Sequence, residues 1–154
     1  MKKRYIIIIT FLLMTMILGG CGSDPELARF KTNFENFCAN VVTLDTSINN
    51  IDPEAENAIT KLLKYINQMD EQFTAMAGLE FPEEFAYLEE LADEAAEYMS
   101  EAAEAYEKAY SGETYDEAMN EYATKNYKRA YKRLQIILIY LHGEEPTEAD
   151  LVSE

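Results

Sequence analysis

Few side chains in this sequence could make or break a bond. His142 is the only histidine, and Cys21 and Cys38 are the only two cysteines. A Ser-His-Asp or Cys-His arrangement would have to run through His142. That residue closes an apolar helical run, where a cation near a helix C-terminus accounts for it without catalysis. Carboxylate-bridged di-iron bundles need Glu-x-x-His on two helices, and the sequence has no such pair. A haem-attachment CxxCH and a glycine-rich phosphate loop are also missing. The reading is therefore non-enzymatic, with no cofactor and no metal site.

Charge narrows the remaining classes. The 154 residues hold 29 acids against 13 bases, a formal net charge of −16. A general nucleic-acid binder needs basic surface to release counterions from phosphate, so nucleic acid is not an expected partner. The acids are unevenly spread: residues 80–110 hold eleven acids and one base, Lys108. A calcium site needs six to eight oxygens converging on one point, usually from a loop. A straight acidic helix spreads its carboxylates apart and reads as a solvated face.

Three groups of side chains could instead recognise something. The basic cluster Lys125, Lys128, Arg129, Lys132 and Arg133 is the only one in residues 24–154 and is a candidate partner-binding surface. An antiparallel hairpin would also set it beside Glu90, Asp93, Glu94, Glu97 and Glu101, where interhelical ion pairs compete for the same cations. The tyrosines Tyr98, Tyr106, Tyr122, Tyr127 and Tyr131 could line a small-molecule groove between the third and fourth helices, since an aromatic ring with a polar tip suits such sites. Ile136 to Leu141 is an unbroken apolar run. One helical stripe cannot bury all six, so Ile136, Ile139 and Tyr140, with Leu79 and Phe81 in a nearby loop, are candidates for a contact with lipid or a membrane-protein partner.

The elements that position these groups follow from stop and start signals. Asp24-Pro25 and Asp52-Pro53 each place a capping residue before a first-turn proline. Gly78 ends a second helix in a left-handed cap. Pro82 opens a third, which stops at Ser111-Gly112. Thr114 and Glu117 form a capping box for a fourth, ended by Gly143. Within each helix the apolar residues recur at steps of three and four, as in Leu27, Phe30, Phe34, Phe37, Val41, Leu44 and Ile48. No segment alternates with period two. The expected fold is all-α, an up-down-up-down antiparallel four-helix bundle over 25–142, with the phenylalanines of the first helix facing the alanine stripe of the third. Residues 143–154 read as an acidic disordered tail.

The N-terminus carries an address. Lys2, Lys3 and Arg4 precede the apolar run from Tyr5 to Leu18, then Gly19, Gly20 and Cys21. A helix of that run spans about 21 Å, short of a hydrocarbon core of about 30 Å. The layout is that of a secretory signal. Leu18-Gly19-Gly20-Cys21 resembles the lipobox of bacterial lipoproteins, with Gly19 standing where Ala or Ser is more usual. The resemblance implies a signal peptide over residues 1–20, cleavage before Cys21, and a diacylglyceryl group on its sulfur. Residues 21–24 would then be the lipidated cysteine and a short tether. The expected location is the extracytoplasmic face of a cell membrane, held through lipid on Cys21. In outline the remainder is similar to small helical lipoproteins, a likeness of architecture that implies no activity. Gly22, Ser23 and Asp24 reach about 10 Å at full extension, so the bundle would stand almost on the bilayer, with a protein partner at or near the membrane. The first helix would start, the second end, the third start and the fourth end on that side.

Overall fold

The computed structural model describes residues 24–151; Cys21 and the signal-like segment lie outside them. Four long helices dominate: α1 (Pro25–Asn49), α2 (Ala58–Ala77), α3 (Glu89–Ser111) and α4 (Glu117–Leu141), and a short α5 (Glu148–Leu151) follows. No strand occurs among the described residues, and no described helix is long and apolar enough to cross a membrane. The fold is an all-α four-helix bundle.

The pairings are antiparallel and in register. On the α1–α2 side, Arg29 pairs with Glu80 and Asn40 Nδ2 donates to Gln72 Oε1 at 2.8 Å. Between α2 and α3, Ser100 Oγ donates to Asp70 Oδ1 at 2.6 Å. Between α3 and α4, Tyr110 meets Asn120, Tyr106 meets Thr124, Asn126 meets Glu101, and Arg133 meets Glu94. Partner numbers fall along one helix as they rise along the other.

The core is made of the residues the three–four spacing selects. Phe34, Phe73, Met69, Met99, Leu88, Leu134 and Ile137 are essentially sealed from water. The aromatic rings also pair with one another, which the spacing did not announce. The α1 phenylalanines meet other phenylalanines: Phe30 lies 4.9 Å from Phe81 between ring centroids, and Phe37 lies 5.4 Å from Phe73, edge-on. The buried alanines Ala92 and Ala95 of α3, with Ala130 of α4, belong to the same core cluster as these rings, and Ala102, Ala109 and Ala123 extend the small-residue stripe along the α3–α4 pair. Small side chains let two backbones approach, and α3–α4 is the most extensive helix pair in the bundle. Along its backbone, α1 runs closest to α2.

Four boundaries differ from the sequence reading. Asp52 does accept from Glu54 N, but the chain then makes two isolated turns, Ala55 N to Asp52 O and Ala58 N to Ala55 O, before α2 begins. Residues 53–57 offer only Ala55 to a core, and a helical turn without packing is marginal. Gly78 has φ −80°, so it is not a left-handed cap; α2 ends through a tighter turn, Leu79 N to Met76 O. The left-handed conformation appears at Gly143, with φ +75°. Pro82 opens a 3-10 segment, Glu83–Leu88, ahead of α3. Three residues per turn sets Phe85 and Leu88 on one line, and both turn towards the core. Finally, Asp116 caps α4 in place of Thr114, its Oδ1 accepting from Met119 N at 3.1 Å. A carboxylate is the stronger acceptor for a helix N-terminus.

Residues 143–151 are also more structured than expected. After Gly143, Glu144 N donates back to Ile139 O, and α5 packs on α4. Thr147 N and Oγ1 both donate to Asp150 Oδ2, at 2.9 and 2.6 Å. The side chain thus closes the turn that a disordered tail would leave open.

Candidate functional site

The helix pairings sort the candidate residues onto three surfaces. The first is the α3–α4 seam. Asn126 is fully buried there; its Nδ2 donates to Glu101 Oε2 at 2.7 Å, and its Oδ1 accepts from Arg129 at 3.3 Å. Tyr122, exposed at the rim, donates to the same Glu101 oxygen at 2.7 Å. Arg133 pairs with Glu94. Both guanidiniums lie over the Tyr98 ring, that of Arg129 at 5.5 Å and that of Arg133 at 5.8 Å from its centroid. Tyr98 is therefore a platform for two cations. Of the acids expected to pair with α4, only Glu94 forms a salt bridge among the described residues, while Glu101 takes neutral donors. Tyr106 shares a hydrogen bond with Thr124 at 3.1 Å, and burial pushes its phenol pKa up.

The second surface is where α4 faces α1 and α2, and it takes the two remaining tyrosines. Tyr127 Oη lies 3.3 Å from Asp45 Oδ1 on α1 and 3.1 Å from Tyr131 Oη, which lies 3.7 Å from Met69 Sδ on α2. Each phenol owns one proton. Tyr127 donates to the Asp45 carboxylate, the strongest acceptor, and Tyr131 donates to Tyr127 or to the sulfur. Burial raises the pKa of both phenols, and the neighbouring Asp45 charge adds to it, so both stay protonated at any ordinary pH. Burial also raises the Asp45 pKa, against the Tyr127 and Asn49 hydrogen bonds that oppose it. The five tyrosines proposed for one groove are thus divided. Tyr98, Tyr106 and Tyr122 follow the α3 side of α4, whereas Tyr127 and Tyr131 tie it to the other half of the bundle. The sequence could not separate them, because both sets sit at helical spacing.

The third surface is the end where α1 starts. Phe81 is buried against Phe30, and Leu79 packs half-buried beside it. Ile136 is only 2% exposed, which corrects the expectation that it meets a partner: its side chain is already inside the bundle. Phe81 is corrected on the same ground, at 8% exposure. Ile139 and Tyr140 are half-buried. Tyr140 meets the exposed Tyr87 edge-on at 5.6 Å, an aromatic pair that sequence spacing did not single out because Tyr87 falls in the 3-10 segment.

Other chemistry is accounted for locally. Cys38 is buried, and loss of hydration pushes its thiol pKa up to about 12, so it holds no reactive thiolate. Among the described residues, no three His, Cys, Asp or Glu side chains are placed to hold a metal ion. No family model, no curated protein and no solved structure matches this chain.

Proposed function

We propose that this chain is a lipoprotein, held on the extracytoplasmic face of a cell membrane by lipid on Cys21, whose bundle acts by contact with a protein partner and not by catalysis. The observation that carries the reading is the junction at residues 21–25. The lipobox-like Leu18-Gly19-Gly20-Cys21 is followed within three residues by Asp24, whose carboxylate accepts from Glu26 N at 3.0 Å and starts α1. A lipid on Cys21 would leave a tether of about 10 Å before rigid helix. Leu79, the Tyr87–Tyr140 pair and the half-buried Ile139 lie towards that same end of the bundle. Two acyl chains suffice for stable anchoring, at about 0.8 kcal/mol per buried methylene.

The test is metabolic labelling with a radiolabelled fatty acid in a bacterial host. Label is expected on the unaltered chain and absent from Cys21→Ser, which would also accumulate at the unprocessed length. Equal label on both chains overturns the anchor. Crosslinking in native membranes tests the partner: a discrete adduct is expected, and the chain recovered alone would count against contact as its mode of action.

A further inference from the structure

The outward stripe of α4 carries the longest acid-free run of cations among the described residues, beyond the Lys61 and Lys64 pair of α2. From Tyr122 to His142 the helix carries no acidic residue, while Lys125, Lys128 and Lys132 recur at three- and four-residue steps along one line. Arg129 and Arg133 are turned aside, engaged with Asn126, Tyr98 and Glu94. Lys125 and Lys128 are exposed, and neither is in a salt bridge among the described residues. Lys132 and Ile139 continue the same line towards the C-terminus, yet both are only partly exposed. The chain's own end returns to this part of α4. It turns back at Gly143, bonds Glu144 N to Ile139 O, and lays α5 on α4. Asp150 is held below its usual carboxylate pKa, first by the Thr147 hydroxyl and backbone donors and also by the charge of Lys132.

We propose that the Lys125–Lys128–Lys132 stripe of α4 is a docking surface for an acidic segment of a protein partner, and that the chain's own acidic C-terminal segment sits over its Lys132 end as an internal competitor. Charge complementarity names the occupant. In a chain of net charge −16, an acidic strand or helix is repelled almost everywhere else and attracted here. α5 packs on α4 with Asp150 in the field of Lys132, the near end of the stripe, and it is short enough to be displaced at little cost. The idea rests on the partner reading above but not on Cys21, because the surface works equally on an unlipidated chain.

The probe is a fluorescein-labelled synthetic peptide with the sequence of residues 144–154, titrated with the full chain in neutral detergent and followed by anisotropy. Three chains are compared: unaltered, Glu148→Lys with Asp150→Lys to loosen the internal segment, and that variant with Lys128→Glu and Lys132→Glu added. The loosened chain is expected to bind at least about tenfold more tightly than the unaltered one at low ionic strength, with binding weakening as salt shortens the screening length. The added charge reversals are expected to abolish it. Peptide binding that is no tighter to the loosened chain, or that survives both charge reversals, overturns the proposal. In either case the fatty-acid label at Cys21 reads separately, so loss of this surface and loss of the anchor are distinguishable.

Discussion

Asn126 and Glu101 join the buried interior of the α3–α4 seam to its rim. The amide is sealed from solvent, its Nδ2 lies 2.7 Å from Glu101 Oε2, and the same oxygen reaches out to Tyr122. The fully buried small residues of this seam are alanines, which pack closely but do not distinguish one register from the next. A buried polar pair does, because sliding α4 along α3 would break the bond between the sealed amide and Glu101.

Removing the amide should therefore cost more than its hydrogen bond. Asn126→Ala is expected to destabilise the bundle by about 1–3 kcal/mol, the penalty for an unsatisfied buried group and a small void. Tyr122→Phe alone should cost under about 1 kcal/mol, since the hydroxyl is exposed. Urea denaturation of both singles and the double variant checks this. Because the two donors share one acceptor oxygen, the double variant should depart from additivity.

The phenylalanine cluster should dominate stability. Phe34→Ala empties a site 1% exposed, flanked by Phe30 and Phe37, at an expected cost of about 3–5 kcal/mol. Domains of this size are stable by roughly 5–15 kcal/mol, so the midpoint of unfolding should fall steeply. A loss under about 1 kcal/mol would mean that the α1 side of the core is loosely packed.

Asp45 sets a pH dependence with a definite sign. Burial raises its pKa in the folded chain above the unfolded value of 3.8. The folded state therefore binds that proton more tightly, and the group's contribution is favourable below pH 3.8 and lost as pH rises through the folded value. Asp45→Asn keeps an acceptor for Tyr127 without the charge. Its stability, relative to the unaltered chain, should be higher at neutral pH and should converge on it as pH falls towards the unfolded carboxylate value. Urea midpoints taken across that range measure the difference.

Cys38 should be protected from alkylation. With its pKa pushed up to about 12, the thiolate population at pH 8 is small, and the sulfur is also buried. Modification by iodoacetamide should run about a hundredfold or more slower than for an exposed thiol. It should accelerate to the ordinary rate in denaturing urea. Rapid labelling of the Cys21→Ser chain in native buffer would contradict the packing of α1.

The helices were legible in the sequence because their causes are local. Asp24-Pro25, Ser111-Gly112 and Gly143 act within a few residues, and the three–four recurrence of Phe30, Phe34, Phe37 and Val41 requires only that the segment bury one stripe. The all-α class and the number of long helices follow from that. Where local signals competed, the outcome needed more than the pattern: Asp116 displaced Thr114 as a cap through its stronger acceptor, and residues 82–88 wound as a 3-10 segment with Phe85 and Leu88 on the core. The site was less legible. Tyr122 and Tyr127 on the same helix look equivalent in a linear pattern, but one faces Glu101 of α3 and the other Asp45 of α1. Only the order of helices around the bundle separates them. The same holds for Ile136, surplus in a one-stripe count yet buried, and for α5, whose packing on α4 no local pattern announces. Periodicity determined what each helix must bury; the lateral placement of neighbours, a property of the assembled bundle, decided what each flank could touch.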